Sequence, residues 1–141
     1  MKTITIAAIA VFLSSTALAQ TVHQWKVIKV SDGDTIQVEA PWVPDPIAKK
    51  VSIRVLGIDT PEKGGRAKCE KEAELGAKAT AFAQAAIKPG DTIGVVLEDW
   101  DKFGGRVLGY VKYDGKDLSE EMIKAGLARP YFGEKKSSWC D

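Results

Sequence analysis

One amphipathic helix, predicted over Glu70–Ile87, constrains the fold of this chain more than any other segment. Its apolar residues recur at helical spacing and form a single stripe: Leu75, Ala79, Phe82, Ala83 and Ala86. Glutamates near its start suit the positive end of the helix dipole, and Pro89-Gly90 ends the pattern. The helix separates three strand patterns from two, and this order decides the fold class.

Alternating side chains predict three strands before the helix. Trp25–Val30 and Thr35–Glu39 flank an Asp-Gly turn, which indicates a hairpin. The segment 40–47 holds three prolines and is interpreted as a loop. Val51–Ile58 is the third strand, so the first three strands form an antiparallel meander.

Two more strands are predicted after the helix, at Ile93–Leu97 and Val107–Tyr113, joined by the charged segment Glu98–Arg106. A second helix follows Asp117, which fits an N-cap, and ends near Gly126. This order predicts an α+β fold that is mainly β. It is a five-stranded Greek-key barrel of the OB type, with one helix between strands three and four and another after strand five.

The first 19 residues have the pattern of a secretory signal peptide. Lys2 precedes a mostly apolar run, and Ala17-Leu18-Ala19 fits a cleavage site. The apolar run is shorter than the roughly 20 residues that a membrane span needs. We therefore expect a domain of residues 20–141, secreted or periplasmic, monomeric and without a membrane segment in its mature form.

Charge and residue counts exclude several classes of site. The chain has 20 Lys+Arg and 19 Asp+Glu, and loss of Lys2 with the leader leaves 19 of each. Affinity for a polyanion must then come from a local patch. His23 is the one histidine in the sequence, which excludes a Ser-His-Asp triad and two-histidine metal sites.

Cys69 and Cys140 are the two cysteines of the chain. Export would make a disulfide between them reasonable, and the alternative is two free thiols. In the chain-entropy model such a bridge stabilises by about 4 kcal/mol, less any strain. It would tie the aperiodic tail, residues 130–141, to the middle of the chain.

The segment Arg54–Glu62 concentrates groups that suit phosphate chemistry. Arg54 lies in a predicted strand, and Asp59, Thr60 and Glu62 follow where the strand ends. The alternative is an ordinary strand followed by a turn. If strands two and three pair, Asp34 could approach Asp59 at one end of the barrel.

Carboxylates without nitrogen or sulfur partners favour a hard cation such as calcium, magnesium or manganese. Arg54 and Arg106 could then neutralise a phosphate through forked hydrogen bonds. By contrast, Arg66 and Arg129 are interpreted as solvated or salt-bridged residues.

Three motifs in order resemble the thermonuclease family, typified by staphylococcal nuclease. They are D-G-D-T at residues 32–35, R-x-L-x-I-D-T-P-E at 54–62 and D-K-F-G-G-R at 101–106. The resemblance covers about residues 27–131. It implies an OB barrel that cleaves DNA and RNA with calcium, leaving 5′-hydroxyl and 3′-phosphate ends.

The resemblance also implies a role for each matching position. Asp34, Asp59 and the Thr60 carbonyl would bind calcium. Glu62 would position or deprotonate the attacking water, and Arg54 with Arg106 would bind the phosphate. The residues near the nucleotide would be Lys102, Phe103 and Tyr131.

The chain departs from the family pattern at two places near the predicted site. Gly104-Gly105 stands where a single glycine is usual, which leaves the reach of Arg106 open, and Phe103 replaces a tyrosine. The long C-terminal helix is also missing, and a Cys69–Cys140 bridge could substitute for it. Alternative functions are a non-catalytic nucleic-acid-binding OB module and a secreted structural domain.

Overall fold

The computed structural model describes residues 17–102 and 104–141. Most of the predicted signal peptide and Phe103 lie outside these ranges. Within them, no helix has the length and apolar character needed to cross a membrane.

The described part of the chain contains strands and helices close to those predicted. In order they are β1 (His23–Asp32), β2 (Thr35–Glu39), β3 (Lys50–Val55), β4 (Gly57–Asp59), a 3-10 helix (Gly64–Arg66), α1 (Glu70–Ala86), β5 (Thr92–Trp100), β6 (Arg106–Tyr113), β7 (Lys116–Asp117), α2 (Leu118–Lys124) and β8 (Arg129–Tyr131).

Five strands close into a barrel, which confirms the predicted fold class. The sheet order is β3-β2-β1-β5-β6, and β3 also pairs with β6 in parallel. The four remaining pairs are antiparallel. Alternate β-branched side chains point inward, and Ile36, Ile53, Val55, Val95 and Val111 are fully buried in the core.

The predicted third strand is two strands in the structure, and the prediction of one continuous strand was wrong. Gly57 has a φ of +84°, a conformation that favours glycine, and it turns the chain out of β3. The following strand β4 pairs with β8, in the segment that sequence periodicity left unassigned. Ser119 supports the break, since its Oγ donates to the Leu56 carbonyl at 2.7 Å.

Helix α1 buries a wider face than the predicted apolar stripe, of which Ala79, Ala83, Phe82 and Ala86 lie in or against the core. Ala79 and Ala83 are buried as expected, but Glu72, Gly76 and Thr80 are buried with them, while Leu75 and Phe82 are half-buried. The reason is that α1 packs against the chain segment that follows β4 as well as against the barrel. A Cβ on Gly76 would lie 2.2 Å from the Glu62 carbonyl oxygen.

The structure contains the Cys69–Cys140 disulfide, with Cα atoms 6.0 Å apart. Cys69 is also the N-cap of α1. The bridge therefore fastens the end of the tail beside the start of the helix.

Substituting Gly76 by alanine should destabilise the fold. In an exposed helix the change stabilises by about 1 kcal/mol, but here the methyl group would displace backbone, which costs about 1–3 kcal/mol. We expect a net loss of unfolding free energy, measured by urea denaturation. Gly65→Ala is the control, because its added Cβ meets no atom within 4 Å; equal stability of the two variants would contradict the close approach.

Candidate active site

The Asp-Gly turn places Asp34 beside the end of β3. Gly33 is enclosed, since an added Cβ would lie 3.1–3.2 Å from Ala79, Met122 and Thr60. Asp34 accepts a backbone hydrogen bond from Val55 at 2.8 Å. The close packing of this turn fixes the Asp34 side chain relative to β3.

Asp34, Arg54 and Thr60 form one connected group. The Arg54 Nη1 lies 2.9 Å from Asp34 Oδ2, and the Thr60 hydroxyl donates to the same oxygen at 2.9 Å. Arg54 also donates to the Val55 carbonyl at 2.9 Å, which holds its guanidinium against the barrel. The structure thus brings together three residues that the sequence predicted for the site.

Burial raises the pKa of Asp34 to about 6, even though the charge of Arg54 acts in the opposite direction. The neighbouring Asp32 contributes to the rise through its own negative charge. Burial would also raise the pKa of Asp32, but hydrogen bonds from Asp34 and Arg66 outweigh it and lower that pKa. Of these two carboxyl groups, Asp34 is therefore the first to take up a proton as the pH falls.

Asp34 should make the metal-free protein less stable as the pH rises. Its pKa is raised from 3.8 to about 6, so the folded chain binds the proton more tightly and stability falls between these values. We expect Asp34→Asn to raise the Tm at pH 8 by about 10 °C, because a shift of roughly two pKa units corresponds to about 3 kcal/mol. Near pH 4, calorimetry should show no difference in Tm between Asp34→Asn and wild type. A Tm difference that does not depend on pH would contradict the raised pKa of Asp34.

Asp59 ends β4 and is buried, with both carboxylate oxygens held by the C-terminal tail. Trp139 Nε1 donates to Oδ2 at 3.0 Å, and Lys136 Nζ lies 2.9 Å from Oδ1. Sequence reasoning missed both contacts. The available signal was the position of Trp139 next to the disulfide cysteine Cys140.

Glu62 lies at the rim of the site, and its side chain is 46% exposed. Its carboxylate pairs with Arg66 Nε at 3.3 Å, and Arg66 also pairs with Asp32 at 3.1 Å. This confirms the salt-bridged interpretation of Arg66. The buried Glu72 fixes the backbone here, because its Oε1 accepts from the Glu62 N–H at 3.2 Å.

Asp59, Thr60 and Glu62 line one pocket of about 610 Å³ together with the tail. The tail contributes residues 135–139, and Lys68 and Glu72 complete the lining. Asp34 does not line this pocket and connects to it through the Thr60 hydroxyl.

A second cleft of about 490 Å³ brings Arg54 and Arg106 together. In the parallel ladder, Arg54 is opposite Leu108 and Arg106 is opposite Ser52, so the two arginines lie on the same side of the barrel wall. Lys102 and Tyr131, both predicted to lie near substrate, line the cleft as well. Sequence reasoning had not selected the other polar and aromatic lining residues: Tyr110, Phe132 and Lys136.

The extra glycine pair does not keep Arg106 from the cleft. Gly104 and Gly105 have φ angles of +67° and +59°, conformations that glycine adopts without strain. They turn the chain so that Arg106 begins β6. Its Nε donates to Asp101 Oδ2 at 2.6 Å, which orients the guanidinium.

The donor atoms around Asp34 and Asp59 fit a hard cation. In residues 17–102 and 104–141 no group of three or more His, Cys, Asp or Glu side chains is arranged to hold a metal. The available donors are two carboxylates and Thr60, all oxygen, which suits calcium or magnesium completed by water and substrate oxygens. Both carboxylates already attract cationic side chains, Arg54 and Lys136.

The family described as "Staphylococcal nuclease homologue" matches residues 52–139. This chain belongs to the staphylococcal nuclease homologue family. The family match contains Arg54, Asp59, Glu62 and Arg106, and it begins after Asp34.

Relatives of this staphylococcal nuclease homologue include bacterial proteins named as endonucleases. The chain is 33% identical over 112 residues to "Endonuclease YhcR" of Bacillus subtilis, covering 75% of this chain and 9% of that protein. It is 33% identical over 107 residues to an "Uncharacterized endonuclease" of Escherichia coli, covering 75% of this chain and 60% of that protein. With "Endonuclease YncB" of Bacillus subtilis the identity is 31% over 127 residues, covering 84% and 56%. The chain thus spans less than two thirds of each of these relatives.

Proposed function

We propose that this chain is a calcium-dependent nuclease that hydrolyses phosphodiester bonds of DNA and RNA. The observation that carries the proposal is the joint placement of Arg54 and Arg106 in one cleft, with Arg54 bonded to Asp34. The neighbouring pocket holds Asp59, Thr60 and Glu62. Membership of the family and the names of the relatives support the nuclease part of this proposal.

The two arginines would hold the reacting phosphate. Guanidinium groups donate forked hydrogen bonds to phosphate oxygens. Arg54 is fixed by Asp34 and the Val55 carbonyl, and Arg106 by Asp101. Such fixed donors stabilise the negative charge that develops on a pentacoordinate phosphorus.

Glu62 would accept a proton from the attacking water. The water oxygen forms a bond to phosphorus, and the bond from phosphorus to the 5′ oxygen breaks. A proton from solvent then completes the 5′-hydroxyl, and the phosphate stays on the 3′ end. Asp34, Asp59 and Thr60 would hold calcium, which when bound supplies positive charge to the phosphate and water.

Lys102, Phe103 and Tyr131 would contact the nucleotide beyond the phosphate. Lys102 and Tyr131 line the arginine cleft, whereas Phe103 lies outside the described residues. We further propose that the leader is cleaved after Ala19 and that the exported domain acts as a monomer.

Cleavage should require calcium. Purified residues 20–141 with plasmid or single-stranded DNA should give 5′-hydroxyl and 3′-phosphate fragments in calcium, and a chelator should abolish the reaction, as followed on gels with end-group analysis. Absence of calcium-dependent cleavage from neutral to alkaline pH would overturn the proposal. Binding of DNA without cleavage would instead favour a binding module.

Glu62→Gln should lower kcat by about 10²-fold or more, the usual contribution of a general base. The substitution keeps the size of the side chain and removes its basicity, so calcium affinity should persist in a titration. The control is Glu74→Gln, an exposed glutamate on α1, which should retain the wild-type rate. A wild-type rate for Glu62→Gln would refute the assigned role.

A further inference from the structure

The C-terminal tail supplies two side chains that share one buried carboxylate. Trp139 donates from its neutral ring N–H to Asp59 Oδ2, and Lys136 places a positive charge on Oδ1. Both residues lie outside the three motifs that define the predicted site. Because they use different oxygens, the two contacts can change independently.

Trp139 is held firmly in place. It is 8% exposed, and its neighbour Cys140 is bonded to Cys69. The Arg129 guanidinium lies 3.8 Å from the ring centroid, and Arg129 Nη1 donates to the Ser138 carbonyl at 2.8 Å. These contacts fix the indole N–H against Asp59 Oδ2.

Lys136 differs from the buried Trp139, because it lies between the two cavities of the candidate site. It lines both the pocket of Asp59 and Glu62 and the cleft of Arg54 and Arg106. Its side chain is 49% exposed, and its ammonium is 5.2 Å from the Tyr131 ring in the cleft. A long, half-exposed lysine can reorient at small cost, since such ion pairs are weak.

We propose that Lys136 is an exchangeable counter-ion of the site. Its ammonium neutralises Asp59 Oδ1 in the metal-free protein, gives way when a divalent cation binds Asp59, and then contributes to phosphate binding in the arginine cleft. Trp139 is the positioning residue that keeps Asp59 oriented during the exchange. This inference rests on the proposed metal-dependent function and adds one phosphate-binding residue to it.

Charge and the number of donors decide which group occupies Asp59 Oδ1. A divalent cation and an ammonium group repel each other, so they do not share Oδ1 at hydrogen-bond distance. The indole N–H is neutral and occupies the other oxygen, so it leaves Oδ1 directed toward the pocket. A phosphate beside Arg54 and Arg106 would give the displaced ammonium a second anionic partner, because Lys136 lines that cleft as well.

The test is calcium titration of the full domain by isothermal calorimetry, without nucleic acid. Lys136→Met should bind calcium about 3- to 10-fold more tightly than wild type, because a competing weak ion pair is gone. Lys135→Met is the control, as it removes the same charge from the same pocket lining without contacting Asp59 in an ion pair. The exchange would be overturned if Lys136→Met had the calcium affinity of wild type. It would also be overturned if both variants bound calcium more tightly by the same factor, or if no form bound calcium.

The role of Lys136 in phosphate binding is tested by a separate measurement of oligonucleotide affinity. In calcium, with Glu62→Gln as the background to prevent turnover, Lys136→Met should weaken binding of a short thymidine oligonucleotide about 3- to 10-fold. An unchanged Kd would refute the phosphate role. Calcium binding without any cleavage by wild type would reject the proposed function while leaving the exchange itself supported.

Trp139→Phe tests the positioning role. It removes the N–H and retains an aromatic ring over Arg129, so we expect calcium affinity to fall about 3- to 10-fold, as for the loss of one hydrogen bond. The Tm should stay within a few degrees of wild type. Wild-type calcium affinity would contradict a positioning role for Trp139.

Discussion

The parallel pairing of β3 with β6 is the constraint on which the site depends. It closes the barrel and joins two segments about 50 residues apart in the chain. Its register puts Arg54 and Arg106 on one side of the wall, although no short-range pattern relates them. On the other edge of β6, Gly109 allows β5 to approach, since a Cβ there would lie 2.8 Å from the Val96 carbonyl oxygen.

Around this wall, each acidic residue of the site is supported from a different element. Asp34 depends on the packed turn after β1, Asp59 on the tail, and the Glu62 backbone on Glu72 of α1. The disulfide lies beside the last two supports, because Cys69 caps the same helix that carries Glu72. Loss of the bridge would therefore affect two parts of the site together, in addition to overall stability.

The sequence predicted the barrel, both helices and the pairing of the cysteines because these follow from local periodicity, turn residues and cysteine count. It predicted the association of Asp34 with the Arg54–Glu62 segment because consecutive strands usually pair. It failed at Gly57, where a single residue with positive φ redirects β4, and at the polar buried face of α1. Those outcomes depend on neighbours distant in sequence, which periodicity does not report.

By itself, the sequence determined the class of fold, the family and the oxygen-rich set of side chains from which the candidate site is built. Only the tertiary structure decided which groups contact each carboxylate. Lys136 and Trp139 reach Asp59 across more than 70 residues of chain, through a tail without regular periodicity. Contacts of this kind arise from the disulfide and from β4–β8 pairing, so the partners of Asp59 become visible only when the chain is folded.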